Sequence, residues 1–135
     1  MAKLDNASID AVIQAMASAV SPGCAIVTHD FRGAASRVPE EETAFRLRRD
    51  HVLIEILALT DHGDPSKEQR HREWALHARR LFDDIALPGG YPNLLPRGAT
   101  ARAVQSYGSN AERLIRAKRR YDADNVFSSA IPLPG

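Results

Sequence analysis

The chain has 135 residues, of which 44% are hydrophobic and 26% charged, and this composition suits one globular domain with a single core. We therefore predict a single domain over residues 1–135. Eighteen Lys and Arg oppose 17 Asp and Glu, and the formal charge of +1 provides no bulk field for nucleic acid or an anionic membrane. The N-terminus lacks an apolar signal core and no apolar run approaches ~18 residues, so we expect a soluble, cytoplasmic protein with no nucleic-acid or membrane partner.

The first part of the chain predicts a helix followed by strands. Ser8 can cap a helix whose large apolar residues follow the helical period and form one buried face: Ile9, Val12, Ile13, Met16 and Val20. Residues 24–31 are typical of a strand, beginning at Cys24, the only cysteine, which we expect to be a buried, inert thiol. Gly33 predicts a turn, and residues 34–38 predict a second short strand that ends at Pro39.

The next segment predicts a third strand and then the longest helix. Residues 51–60 are a nearly continuous apolar run of strand length, which we expect at the centre of the sheet. Asp64 and Pro65 open a helix with one apolar stripe, made of Trp74, Ala78, Leu81, Phe82 and Ile85. Its basic residues are expected on a solvated face.

The last third is expected to be irregular at first and helical at the end. Thr100 can cap a short helix, and Asn110 can cap a closing helix that runs through Tyr121. The predicted fold class is therefore α+β, a small antiparallel sheet of about three strands with helices packed on one face. Such a sheet has open edges, so we expect it to be completed by dimerisation or by a partner.

Two C-terminal motifs resemble those of a known family. The segment from Tyr107 to Phe127, followed by Ile131-Pro132, is similar to the closing motif of the berberine bridge enzyme family of FAD-linked oxidases. Tyr91-Pro-Asn93 resembles the Tyr-x-Asn segment of that family, at the usual spacing of sixteen residues before Tyr107. Weaker similarity extends upstream through the segments around His29, Phe45 and Glu55, so the resemblance covers about residues 8–133.

The chain departs from the family pattern at several positions. Ala111 stands where a Tyr is common, Ala123 where a Pro is usual, and Arg32 where a Gly precedes Gly33. Residues 94–96 are Leu, Leu and Pro, in place of polar groups that would help to hold a substrate. The resemblance thus implies a more apolar pocket than is usual.

The resemblance implies FAD as the cofactor of the whole family. Family members hold FAD mainly through an N-terminal domain, which we expect this chain to lack, and the resemblance aligns Cys24 with the substrate-domain hairpin rather than with a flavin-linking cysteine. We therefore expect the chain alone to bind FAD weakly or not at all. The implied partners are a second copy of the chain or a separate FAD-binding subunit, with a small-molecule ligand.

Glu55 is the candidate catalytic residue. Alternation along a strand places it on one face between Leu53 and Leu57, where a carboxylate is either paired or has a raised pKa and can then act as a base. Some relatives use a glutamate on the matching strand to remove a phenol proton, and the resemblance implies that role for Glu55. The alternative is a structural residue at an open sheet face or paired with an arginine, such as Arg32, Arg37 or Arg48.

Four further residues are candidates for binding. The resemblance places Tyr91 and Asn93 beside the flavin or substrate; the alternative is a loop in which Tyr91 packs and Asn93 satisfies backbone groups. His29 and Tyr107 are candidates for substrate binding, with a hydrogen-bonded core histidine as the alternative for His29. The other histidines, His51, His62, His71 and His77, have no metal-binding spacing, so we predict no metal site.

Three functions therefore remain open at this stage. The first is a standalone substrate-domain module of a berberine-bridge-like FAD-dependent oxidoreductase. The second is a flavin-free homodimeric protein that binds a small molecule, or a cofactor-independent enzyme with Glu55 as its base. The third is a non-catalytic interaction domain.

Overall fold

The computed structural model describes residues 1–60, 64–96 and 98–127, and it divides into two compact units. The first unit comprises Met1–Asp30 and His51–Ala86, and the second comprises Phe31–Asp50 and Leu87–Gly135. The prediction of a single domain stays a prediction. His62 and the Ile131-Pro132 end of the closing motif lie outside the described residues.

The first unit contains two helices and a two-stranded antiparallel sheet, which confirms the α+β class. Its elements in chain order are α1 (Asn6–Ala17), β1 (Cys24–Phe31), β2 (His51–Ala58) and α2 (Pro65–Arg80). The pairing of the strands continues beyond their ends, because the Leu59 N–H donates to the Gly23 carbonyl over 2.9 Å. Only glycine fits at position 23, where a Cβ would lie 2.2 Å from the Leu59 carbonyl oxygen.

The core of the first unit lies between the sheet and its two helices. Ala15, Cys24, Trp74 and Ala78 form a buried cluster, and partly buried side chains from both strands, among them Ile26 and Ile56, pack against it. The Trp74 Nε1–H donates to the Ala15 carbonyl over 2.9 Å and so joins α2 to α1. The predicted apolar stripe of α2 is confirmed at Trp74 and Ala78, which are both buried. The other predicted members, Leu81, Phe82 and Ile85, follow the end of the helix at Arg80.

Helix α1 turns a different face to the core from the one predicted. Its buried residues are Ser8, Ala11 and Ala15, whereas Ile9, Ile13 and Met16 are 49%, 60% and 37% exposed. The physical reason is close approach: small side chains let the Trp74 ring reach the backbone of α1, which a row of isoleucines would prevent.

The start of α1 also differs from the prediction that Ser8 is its cap. Asp5 is the N-cap, and its Oδ1 accepts the Ser8 N–H over 3.1 Å, while Ser8 Oγ accepts the Asp5 N–H over 2.7 Å. This reciprocal capping box satisfies two of the backbone donors that a helix start leaves open. Helix α2 begins as predicted, with Asp64 as N-cap and Pro65 in the first turn.

The second unit consists of short helical elements. They are 3-10 turns at Gly33–Ser36, Glu40–Glu42, Pro92–Leu94 and Gly108–Asn110, and the helices α3 (Thr100–Tyr107) and α4 (Ala111–Tyr121). Helix α4 ends at Tyr121 as predicted. The predicted cap Thr100 is wrong, because Thr100 is the first residue of α3. Asn110 is the N-cap residue of α4 as predicted, but its side chain makes no capping bond.

The predicted strand at residues 34–38 is also wrong, since Gly33–Ser36 is a 3-10 turn. Gly33 adopts φ +73, a left-handed conformation that turns the chain away from an extended path, and Ser36 Oγ donates to the Gly33 carbonyl and so closes the turn locally. The described part of the sheet therefore has two strands rather than about three, and β2 pairs with β1 alone instead of lying at the centre.

Buried polar groups hold the second unit together. The Asn110 side chain is buried, and its Nδ2 donates to the carbonyls of Glu40 and Thr43 over 2.7 and 3.0 Å. Ser106 Oγ accepts the Gly90 N–H over 2.9 Å and donates its own proton to the Gly90 carbonyl. These bonds tie α3 and the start of α4 to irregular segments whose backbone groups would otherwise lack partners.

Candidate functional site

Glu55 and His29 lie side by side on the two strands of the first unit. The His29 Nε2 is 2.9 Å from the Glu55 Oε2, with side chains 49% and 24% exposed respectively. An ionised carboxylate can only accept, so the imidazole N–H is the donor of this bond. The partner of Glu55 is thus His29 and not one of the arginines considered above. The exposure of His29 also shows that it is not a core histidine.

Strand alternation explains why this pair is accessible. Ile56 and Ala58 pack against the core beneath the sheet. Successive side chains of a strand point to opposite faces, so Glu55 points away from the helices, in the same direction as Leu53 and Leu57. Its second oxygen, Oε1, has no hydrogen-bond partner in the described part of the chain. The carboxylate is therefore oriented through one oxygen and open at the other, which is the arrangement needed to accept a proton.

Tyr91 and Asn93 form the second pair of candidate residues, and they lie in the second unit. The 3-10 turn Pro92–Leu94 brings them together, and the Asn93 Nδ2 donates to the Tyr91 Oη over 3.1 Å. Tyr91 is 38% exposed, and its ring meets the ring of Phe45 edge to face, with centroids 5.8 Å apart. The pair thus presents a half-exposed ring and an amide next to each other.

The sequence analysis missed the aromatic cluster that supports Tyr91. Phe45 also meets Phe31 edge to face at 5.9 Å, and the Arg48 guanidinium lies 5.6 Å from the Phe45 centroid and 5.9 Å from that of Phe31. Such a cation over two rings is a favourable contact. The one sequence signal for this cluster was the similarity of residues 43–45 to the family. There was no other signal in the sequence, because the side chains of the cluster come from distant parts of the chain.

Tyr107 stands apart from these pairs. It is the half-buried last residue of α3, followed by Gly108 at φ +51. Among the described residues it shares no hydrogen bond or ring contact with Tyr91 or Asn93. The structure therefore brings four of the five predicted site residues together in two pairs, one in each unit, and leaves Tyr107 outside both.

Tyr91 and Asn93 are the groups of the second unit that suit contact with a flavin ring. The Tyr91 ring provides apolar surface, and the Asn93 Oδ1 has no partner in residues 1–60, 64–96 and 98–127 and can accept an N–H. These groups fit contact with one edge of a flavin ring. Every fully buried side-chain nitrogen and oxygen of the described residues already has a partner. Nor do these residues contain a cluster of three or more His, Cys, Asp or Glu that could hold a metal ion.

Where the structure is described, no helix has the length and apolar character needed to cross a membrane.

Comparison with known proteins gives two kinds of match. Residues 83–134 match the family described as "Berberine and berberine like". Two proteins of Bacillus subtilis (strain 168), named uncharacterized FAD-linked oxidoreductases YvdP and YgaK, are each 31% identical to the chain over 102 residues. The alignments cover 76% of this chain and 22% of each relative, so the chain spans less than a quarter of the length of the curated relatives it matches. Together with the motifs at Tyr91 and Tyr107, these matches show that the chain belongs to the berberine and berberine-like family of FAD-linked oxidoreductases.

Proposed function

We propose that the chain is the substrate-domain module of a berberine-bridge-like FAD-dependent oxidoreductase and supplies Glu55 as its base, with the flavin held elsewhere. The observation that carries this proposal is the 2.9 Å bond from His29 Nε2 to Glu55 Oε2 on the exposed face of the sheet. Membership of an FAD-linked family supports the class of reaction. The pair supplies what an oxidation of a hydroxylated substrate needs from the protein, an oriented proton acceptor.

Glu55 acts through its open oxygen. Oε1 takes the proton of a substrate hydroxyl, while His29 holds Oε2 and keeps the carboxylate in one orientation. Partly buried Leu53 and Leu57 flank Glu55 along the strand and limit its contact with water. A flavin bound in the complex would supply the two-electron acceptor. His29, which is half exposed, is also placed to contact the substrate.

In the second unit we propose Tyr91 and Asn93 as the contacts to the flavin ring and Tyr107 as a contact to the substrate. The half-exposed Tyr91 ring and the open Asn93 Oδ1 support the first assignment. The assignment of Tyr107 as a substrate contact is supported only by its position in the family motif.

We also propose that the chain works as an assembly, most simply as a homodimer joined at the sheet, or with a separate FAD-binding subunit. Each described strand has one strand neighbour, so each keeps an open edge. Met1 protects the edge of β2 at one point, because its amino group and carbonyl exchange two 2.9 Å hydrogen bonds with the backbone of Val52. Sedimentation at micromolar concentration should show a dimer, and a well-folded monomer without a bound partner would rule the assembly out.

The test of the function starts from the visible absorbance of the purified chain with and without FAD. We expect little or no flavin retained by the chain alone, and a yellow complex once its flavoprotein partner is recovered by affinity purification. A chain that stays colourless with FAD and recovers no flavoprotein contradicts the proposal.

The base is tested in that complex with phenolic substrates. Glu55→Gln should lower kcat by about 10²-fold or more, the range of a lost general base, and Glu55→Asp should retain part of the activity. Glu68→Gln, an exposed glutamate on α2, is the matched control and should leave kcat unchanged. Equal rates for Glu55→Gln and the unaltered complex would remove Glu55 from the mechanism.

A further inference from the structure

A second polar pair, which the function proposed above does not use, lies in the first unit. The Ser21 Oγ is 2.7 Å from the His71 Nε2, and the His71 Nδ1 is 2.7 Å from the Lys67 carbonyl oxygen. A carbonyl oxygen only accepts hydrogen bonds, so Nδ1 carries the imidazole proton and Nε2 presents its lone pair to the Ser21 hydroxyl. This is the relation of a nucleophile, a base and a group that orients the base.

Rigid local structure holds both side chains in place. Ser21 begins the Ser21-Pro22-Gly23 turn between α1 and β1, where Pro22 restricts the backbone. The Gly23 N–H donates to Ser21 Oγ over 3.0 Å, which occupies one lone pair of the hydroxyl and leaves the other free. His71 is 7% exposed and lies on α2, a helix of 16 residues. The pair therefore needs no rearrangement to reach hydrogen-bond distance.

The pair borders a cavity of about 470 Å³ in the same unit. Two cationic side chains, Lys67 and Arg70, line it together with Ser21 and His71. The Lys67 Nζ lies 3.9 Å from the Asp64 Oδ2, a loose and exposed ion pair, and Arg70 has no ion-pair partner among the described residues. A cavity of this size accepts a small organic molecule, and its cations favour one with a negative charge.

We propose that Ser21 and His71 form an acyl-transfer site for a small ester that carries a negatively charged group. The Ser21 Oγ forms a bond to the acyl carbon as its proton passes to His71 Nε2, and the bond to the leaving oxygen then breaks as that oxygen takes the proton. Water attacks the acyl-serine, gives its proton through Nε2 to Ser21 Oγ, and releases the acid. The net reaction is ester and water to acid and alcohol, and it requires no further reactant.

This site is separate from the one proposed for oxidation. Helix α2, which carries His71, packs on β2. Glu55 points to the other face of that strand, by the alternation described above. The acyl-transfer proposal therefore stands or fails independently of flavin binding and of the Glu55 base.

The nucleophile is tested with a fluorophosphonate probe and intact-mass measurement of the purified chain. We expect one adduct per chain, mapped by peptide sequencing to Ser21. Ser21→Ala should abolish it, Ser21→Cys should still react with an acylating ester, and Ser109→Ala, an exposed serine of the second unit, should label like the unaltered chain. Circular dichroism confirms that each variant is folded. A folded, unaltered chain without an adduct at Ser21, or equal labelling of Ser21→Ala, overturns the proposal.

The charge of the substrate is tested with two 4-nitrophenyl esters, the half-ester of glutaric acid and the neutral butyrate. Arg70→Gln should slow acylation by the anionic ester about tenfold more than acylation by butyrate, the loss expected for one charge-assisted contact. Equal slowing of both esters, or of neither, overturns the assignment of an anionic substrate.

Discussion

The two units of this molecule are stabilised by different interactions. The first buries large apolar side chains, including Val52, Trp74 and Phe82, between two helices and a sheet. The second has only small or polar buried residues in its described part, namely Gly89, Ala103, Ser106, Asn110 and Ala111. The comparison teaches that short helices and turns without a large apolar core are held by side-chain donors placed on specific backbone carbonyls.

The chain also provides separate spectroscopic reports on the two units. Its single tryptophan, Trp74, lies in the first unit, and its three tyrosines, at positions 91, 107 and 121, lie in the second. Tryptophan fluorescence therefore follows the apolar core, and ¹⁹F NMR of fluorotyrosine follows the hydrogen-bonded unit.

The largest expected effect comes from truncating the centre of the apolar core. Trp74→Ala should lower the free energy of unfolding by about 3–5 kcal/mol, since it leaves a cavity and removes the donor to the Ala15 carbonyl. Urea denaturation followed by circular dichroism measures the change, and Trp74→Phe, which keeps a ring, should cost less. A loss below about 1 kcal/mol would show that this core does not dominate the first unit.

An intermediate effect is expected where α1 approaches Trp74. Ala15 is fully buried, so Ala15→Leu should overpack the contact and cost about 1–3 kcal/mol. Ile13→Gln, on the exposed face of the same helix, should change the stability by no more than about 0.5 kcal/mol. Tryptophan fluorescence during urea unfolding measures both. The reverse ranking would mean that the isoleucine face of α1 is the buried one.

The matching test in the second unit removes a single amide. Asn110→Ala should cost about 1–3 kcal/mol, because the carbonyls of Glu40 and Thr43 lose their donor in partly buried surroundings. The fluorotyrosine spectrum during urea unfolding gives the readout, with the exposed Asn93→Ala as control. If both variants unfold at the same urea concentration, polar scaffolding is not what holds this unit.

The smallest expected effect is a dependence on pH from the helix caps of the first unit. The Ser8 backbone N–H, with the Ser8 hydroxyl, lowers the pKa of Asp5, and the Ser66 hydroxyl, with the Lys67 N–H, lowers the pKa of Asp64. A carboxyl whose pKa is lower in the folded state stabilises the fold above its unfolded pKa, and this stability is lost as the pH falls through the folded pKa. The urea midpoint should therefore decrease on acidification below about pH 4.

Asparagine variants separate this titration from the capping bond itself. Asp5→Asn keeps an acceptor for the Ser8 N–H but cannot ionise, so the variant should retain α1 and lose part of the pH dependence. In the second unit the Lys118 side chain lowers the pKa of Asp122, so Asp122→Asn should act in the same direction on the fluorotyrosine signal. A urea midpoint of Asp5→Asn with undiminished pH dependence would contradict the role given to Asp5.

Local elements with strong sequence signals were predicted correctly. The strand at residues 24–31, the strand that begins at His51, the start of α2 at Asp64 and Pro65, and the end of α4 at Tyr121 all agree with the structure. Each depends on neighbouring residues, through an apolar period, a cap or a proline. The failures lie where local signals compete. Helix α1 carries both isoleucines and alanines at helical spacing, and only the approach of Trp74 decides which face is buried.

The sequence by itself determined the family of this chain, the α+β class and the individual candidates Glu55, His29, Tyr91 and Asn93, because these depend on residue types at fixed spacings. Tertiary structure alone decided which side chains meet. His29 and Glu55 are 26 residues apart and Ser21 and His71 are 50 apart, so strand pairing and helix packing bring them within hydrogen-bond distance. No local period encodes such contacts, since they depend on how distant segments bury their apolar surface together.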